Sequence, residues 1–225
     1  MKKAMILAAG LGQRMQPLTL AIPKPLLQVG PYSLIEHHLQ KLAALSVQQV
    51  IINVSHLGKK IQQALGDGER WNLEIIYSHE SQPLETAGGI RQALTWLGDE
   101  PFICVNGDIW TDYSFEHLLS VKCRRAHLVL VSNPPHHPQG DFAVEDAENS
   151  ESLVISHGSP CFTFSGVSLL DPQLFHEGDL HMQKLGPLLK QASVHHQVTA
   201  EVYRGKWCDV GTPERLLELR AVLNP

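Results

Sequence analysis

Two stretches near the amino terminus bring together residue types that can hold phosphate. The segment Leu7–Met15 (LAAGLGQRM) follows a short apolar run and sets glycines at 10 and 12. Backbone at such positions can approach an anion closely, the successive N–H groups of Ala9 to Gly12 can line its oxygens, and Arg14 can add a forked set of donors. A triphosphate is the natural candidate, although the same residues also suit a plain strand-to-helix turn. Two common phosphate motifs fail on spacing: Met15 stands where the dinucleotide pattern needs its third glycine, and no G-x-x-x-x-G-K-[ST] occurs. Lys24 follows, flanked by Pro23 and Pro25, so its ammonium can be delivered to an α-phosphate with less freedom to lose. Asp108 comes after one strand-like run and Asp209 before a helix start. Carboxylates beyond the carboxyl ends of neighbouring strands can meet in one crevice and supply the hard oxygens that Mg²⁺ requires, but turn and capping aspartates fit the same sequence positions.

The elements that must place these groups follow from periodicity. Ala4 to Ala8 reads as a buried strand, Leu34 to Leu45 as a helix, and Val50 to Val54 as a strand. A helical stripe from Leu57 to Leu65 is closed by Gly66-Asp67-Gly68. Leu73 to Tyr77, Thr86 to Leu97 and Pro101 to Val105 continue the strand–helix–strand rhythm; Phe115 to Leu119 suggests a helix and Ala126 to Val131 a strand. Alternation with short connections favours a largely parallel sheet between helices. After Pro134 the pattern weakens. A polar hairpin or loop from Glu145 to Ser152 precedes Val154–Ile155 and Cys161–Phe164, which read as added antiparallel strands, then come a helix at Leu185–Leu189 and a strand at Val198–Tyr203. The last helix starts at Thr212-Pro213-Glu214, with threonine as cap, proline in the first turn and acid at the positive end of the dipole. Leu216, Leu219 and Leu223 form its apolar stripe, with Leu217 competing for the inward face.

Composition narrows the function. With 225 residues, 43% of them hydrophobic, and 18 Lys plus Arg against 23 Asp plus Glu, the chain can bury a sizeable core but lacks the positive charge for wrapping nucleic acid. No apolar run approaches the ~20 residues of a membrane span, and Met1-Lys2-Lys3-Ala4 leads straight into a strand, so the cytoplasm is the expected location. Cys104, Cys123, Cys161 and Cys208 contain no C-x-x-C and read as free thiols. The pairs His37-His38, His136-His137 and His195-His196 do not form H-E-x-x-H, and they read as surface, cap or core residues.

Taken together, Leu7–Met15, Pro17-Leu-Thr19 and Pro23-Lys-Pro-Leu-Leu27 resemble the signature of sugar-1-phosphate nucleotidyltransferases. Glu85-Thr-Ala-Gly-Gly89, Val105-Asn-Gly-Asp108, Phe162-Thr-Phe-Ser-Gly166 and Trp207–Arg215 extend the likeness in family order over nearly the whole chain. The resemblance implies a Rossmann-like α/β fold in one domain over residues 1–225, a mostly parallel mixed sheet flanked by helices. The nucleotide-binding part would occupy about 1–110 and the sugar-binding part about 111–225. It implies UTP and a sugar 1-phosphate as partners and Mg²⁺ held by Asp108 and Asp209. Ala9, Gly10, Gly12, Arg14, Lys24 and Asp108 would meet the nucleotide, Arg14 and Lys24 would act in the transfer, and the loop Glu80 to Gly89 would face the base, with Gln82 and Gly88 as its contacts. On the acceptor side it implies Asn106, Gly140, Asp141, Thr163 and Glu177, with Trp207 either covering the crevice or packing. Many relatives carry a Glu-Lys-Pro whose lysine holds the sugar phosphate; Glu145 to His157 contains neither lysine nor arginine. That departure and the Leu84–Gly89 loop point to the uridylyl-transferring members that act on a muramate-type sugar phosphate in peptidoglycan recycling. Transfer to mannose 1-phosphate or glucose 1-phosphate, and a sensor without turnover, are the alternatives. A monomer or loosely paired dimer is expected.

Overall fold

The computed structural model describes residues 3–82, 84–155, 158–177, 179 and 181–223. The amino-terminal half runs β1 (Lys3–Leu7), β2 (Gln28–Val29), β3 (Tyr32–Ser33), α1 (Leu34–Ala44), β4 (Gln49–Val54), α2 (Gly58–Leu65), β5 (Glu74–His79), α3 (Glu85–Leu97) and β6 (Phe102–Asn106). β1, β4 and β5 pair in parallel, and β6 pairs in parallel on the other flank of β1, giving the order β5-β4-β1-β6. The chain thus moves outward from β1 and then returns to its opposite side. At such a reversal the loops leaving neighbouring strands diverge, and a crevice opens at their carboxyl ends.

Side-chain alternation explains the layering. Ala4 and Ile6 of β1 join Ile35, Leu39 and Leu42 of α1 and Ile61 and Leu65 of α2, whereas Met5 joins Ile90 and Leu97 of α3 on the other face. Apolar strands covered on both sides are what a parallel sheet demands. α1 begins at a reciprocal cap in which Glu36 accepts from the Ser33 N–H at 2.8 Å.

The second half adds β7 (Ile109–Thr111), β8 (Ala126–Val131), β9 (Phe142–Val144), β10 (Ser152–Ile155), β11 (Cys161–Leu170), α4 (Gln173–Glu177), α5 (Leu185–Val194), β12 (Val198–Tyr203), β13 (Trp207–Asp209) and α6 (Pro213–Leu223). β11 lies antiparallel between β6 and β8, β12 runs parallel to β8, and β10 and β9 complete a nine-stranded mixed sheet. β11 is longer than its apolar start at Cys161–Phe164 suggests, because the register shifts between Phe164 and Val167 and the small pair Ser165-Gly166 occupies the irregularity. Phe115–Leu119 forms a 3-10 turn instead of an α-helix; Phe115 and Leu118, three apart, are its buried residues.

α6 settles the leucine ambiguity: Leu216 and Leu219 are buried and Leu217 is 62% exposed. They pack with Met15, Leu27, Val29, Leu34, Trp110 and Val210 in a separate small core, which ties α6 to the loop after β1 and to β7. Among the described residues no helix is long and apolar enough to cross a membrane. The four cysteines are free, and burial in β6 pushes the Cys104 thiol up to about 12.

Candidate active site

A cavity of about 610 Å³ opens where β1 and β6 end, and Ala9, Gly10, Gly12, Arg14, Lys24, Asn106 and Asp108 all line it. That volume suits a nucleotide-sized ligand. The loop after β1 is held from below by buried Met15, while Gly12, at φ +62°, lets the chain fold back so that Thr19 Oγ1 donates to the Gly12 carbonyl at 2.8 Å. Gly10 has nothing within 4 Å of the place a side chain would occupy, so its backbone faces open space.

Lys24 is 8% exposed and donates from Nζ to Asp108 Oδ2 at 2.6 Å. β13 pairs antiparallel with β7, setting Asp209 opposite Ile109, and the Val210 N–H donates to the Asp108 carbonyl at 3.0 Å. The two aspartates, far apart in sequence, are therefore neighbours at one strand pairing. Asp209 Oδ1 accepts from Arg215 Nη1 at 2.5 Å and lies 3.0 Å from His136 Nε2. Among the described residues no group of three or more His, Cys, Asp or Glu could hold a metal ion. Two hard carboxylates beside an open phosphate-sized space still suit Mg²⁺, which commonly takes one or two protein carboxylates and fills its remaining positions with substrate phosphates and water.

Sequence reasoning missed the brace behind this site. Asn53, 3% exposed, accepts from the Ala8 N–H at 2.8 Å and donates to Glu80 Oε1 at 2.7 Å. Glu80, 5% exposed, accepts the Leu84 N–H at 2.9 Å through its other oxygen. The loop after β1 and the start of α3 are thus fixed to one buried amide–carboxylate pair, and both residues line the cavity. Their only sequence signal is a polar residue near the carboxyl end of β4 and another just after β5. His136 and Arg215 also escaped notice; His136, read as a surface, cap or core residue, lies beside Asp209.

The base-side pair is divided from the cavity wall. Gln82 is exposed and Gly88 is buried in the first turn of α3, where its N–H donates to the Gln183 carbonyl at 3.2 Å. Glu85 and Thr86 line the cavity instead. Pro83 of the same loop lies outside the described residues.

Gly140, Asp141 and Thr163 gather at the carboxyl end of β8. Asp141 accepts the Phe164 N–H at 2.9 Å, Thr163 donates to Asn133 Oδ1 at 2.8 Å, and a Cβ on Gly140 would lie 2.7 Å from that same amide oxygen. Asp141 lines a second cavity of about 300 Å³ with Phe142, Phe164 and Lys190. Glu177 is not part of this group. It forms a two-pronged pair with Arg125, 2.7 and 2.8 Å, just before the amino end of β8, at the far edge of the sheet from the crevice. Trp207 donates from Nε1 to the Ser165 carbonyl at 2.8 Å and packs against the core.

Comparison with known proteins bears on this geometry. A family model described as "Nucleotidyl transferase" matches residues 3–157. Over 227 residues the chain is 43% identical to N-acetylmuramate alpha-1-phosphate uridylyltransferase of Neisseria meningitidis serogroup B, with 98% of this chain and 97% of the relative covered. A protein of the same name from Caulobacter vibrioides is 32% identical, covering 99% and 97%. Among solved structures, a putative glucose-1-phosphate thymidylyltransferase from Bacillus anthracis superposes with a TM-score of 0.81 over 99% of this chain and 95% of that one. At 20% identity that likeness speaks for the fold alone.

Proposed function

The chain belongs to the nucleotidyl transferase family, and we propose that it transfers the uridylyl group of UTP to N-acetyl-α-D-muramate 1-phosphate, giving UDP-N-acetylmuramate and pyrophosphate. The observation that carries this choice of substrates is the 43% identity, end to end, with a uridylyltransferase of that acceptor. The lack of lysine and arginine from Glu145 to His157 supports it.

In this reading the backbone of Ala9 to Gly12 and the Arg14 guanidinium take the β- and γ-phosphates, and Lys24 faces the α-phosphate. Gln82 reaches the base from the exposed loop outside the cavity wall that Glu85 and Thr86 form, while Gly88 keeps the start of α3 close to the segment at Gln183. Asn106, Gly140, Asp141 and Thr163 frame the acceptor; Glu177, at the other end of β8, has no part in it. Residues 1–110 supply most of the nucleotide side and 111–225 most of the acceptor side of a single domain.

An oxygen of the acceptor phosphate attacks the α-phosphorus in line; as that bond forms, the bond to the bridging oxygen breaks and its electron pair leaves with pyrophosphate. A phosphate monoester is already anionic near neutral pH, so no strong protein base is needed and positioning and charge compensation do the work. Arg14 favours the departing pyrophosphate and Lys24 the charge around the α-phosphorus. Asp108 and Asp209 would hold Mg²⁺, which when bound supplies charge neutralisation between the two phosphate groups. One chain supplies every group named, so a monomer or weak dimer suffices, and UTP as donor puts the reaction in the cytoplasm.

A crossed panel of nucleoside triphosphates and sugar 1-phosphates, ranked by kcat/KM, tests the assignment. UTP with the muramate ester should exceed every other pair by at least about 10-fold, the least that a single methylene of difference in a pocket produces. Preference for GTP with mannose 1-phosphate would overturn it.

A further inference from the structure

Beyond Mg²⁺, the acceptor phosphate still needs a cationic side chain. Family relatives draw one from the sugar-side strands, but the stretch from Glu145 to His157 has none in this chain. The basic side chains nearest those strands are committed elsewhere: Arg204 to Glu148 on the surface, Arg125 to Glu177 at the opposite sheet edge, and Lys190 to the second cavity over the Phe142 ring.

Arg215 is placed differently. It sits in the first turn of α6 with a side chain only 15% exposed, and Thr212 Oγ1 accepts its backbone N–H at 3.4 Å, so the turn that carries it is fixed. Its Nη1 alone meets both Asp209 and His136. Its Nη2 lies over Gly211, 2.1 Å from where a Cβ would stand, and Gly211 lines the large cavity together with Lys24 and Asp108. Among the described residues Nη2 and Nε have no hydrogen-bond acceptor. A guanidinium held by one nitrogen, with the rest of its planar fork free over Gly211 in the wall of the nucleotide-sized cavity, matches what two oxygens of a phosphate need.

The direction of approach identifies which phosphate. Lys24 reaches the paired aspartates from the nucleotide side through Asp108, whereas Arg215 reaches them through Asp209 and His136. His136 belongs to the segment that leads directly into Gly140 and Asp141, the acceptor-side residues. We infer that Arg215 binds the phosphate of the sugar 1-phosphate, filling the place left by the missing lysine. This rests on the transferase reading but not on the identity of the sugar.

The experiment compares wild type, Arg215→Gln and Arg215→Lys with the α-1-phosphates of N-acetylmuramate, glucose and mannose. Steady-state KM values are paired with calorimetric titration of each acceptor in EDTA, with and without a non-hydrolysable UTP analogue. For whichever acceptor the wild type uses best, Arg215→Gln should raise acceptor KM and Kd about 10- to 100-fold, the scale of lost charge-assisted hydrogen bonds. UTP KM and the Mg²⁺ concentration for half-maximal rate should stay within about threefold, and Arg215→Lys should fall between. If acceptor KM and Kd are unchanged, or UTP KM rises in parallel, or only the Mg²⁺ requirement shifts, Arg215 is not the acceptor anchor. If the effect appears with glucose or mannose 1-phosphate as the best acceptor, the muramate assignment falls while Arg215 keeps its role.

Discussion

Asn106 ends β6 with its side chain pressed against Gly166, where φ is +83° and a Cβ would stand 2.7 Å from the Asn106 amide nitrogen. Both backbone and space therefore require glycine. Gly166→Ala should cost about 1–2 kcal/mol from left-handed strain and crowding, read as a Tm lower by roughly 2–8 °C. Because the displaced side chain is the one proposed to face the acceptor, acceptor KM should rise several-fold while UTP KM holds. Equal changes in both constants would remove Asn106 from the acceptor side. The Asn53–Glu80 brace works in the same way on the nucleotide side, since each of its polar atoms is matched by a loop backbone group or by the partner.

At the next scale, α1 does more than cover the sheet. β7 has a single strand partner, β13, and α1 supplies donors to the carbonyls along this short strand and just beyond it. His38 Nε2 donates to Ile109 O at 3.0 Å, and Lys41 Nζ donates to Thr111 O and Tyr113 O at 2.5 and 2.8 Å. The strand next to Asp108 is thus fastened from below. Burial, and then the nearby Lys41 charge, depress the His38 pKa to about 3; burial lowers that of Lys41 to about 8. With a folded value below the unfolded 6.5, His38 binds a proton more readily in the unfolded chain. Its contribution to stability is therefore present above pH 6.5 and lost as pH falls toward 3, at about 1.4 kcal/mol per unit. His38→Leu should be less stable at pH 7.5 by about 1–3 kcal/mol, from the Ile109 carbonyl left without its donor. The gap to wild type should narrow by roughly 2 kcal/mol by pH 5. Urea midpoints at the two pH values check this; a gap that stays constant would show that the buried ring does not govern the acid sensitivity.

Over the whole molecule, what could be read from sequence was what is contiguous or periodic. Residues 9 to 14 lie on one loop and carry their chemistry in their order, and the amphipathic stripes of α1, α2 and α3 announce a layered α/β sheet. Asn53 became visible only through the parallel register that sets it beside Leu7, and its bond to Glu80, at the start of the base-side loop, only through the strand beyond. His136 and Arg215 meet because β13 turns back along β7, an element of three residues that has no period to detect. Glu177 was expected on the acceptor side with Asn106 and Thr163, yet it sits at the opposite end of β8, paired with Arg125. Turnover is predicted to depend most on Asp108 and Asp209 acting as one pair at that strand pairing. The most direct test is Mg²⁺-dependent pyrophosphate release from UTP and N-acetylmuramate 1-phosphate by wild type, Asp108→Asn and Asp209→Asn, with thermal melts in parallel. Loss of at least about 10²-fold in each variant, the scale of a removed charge-stabilising group, with folding retained is the expected result. Near-normal turnover in both well-folded variants would contradict it.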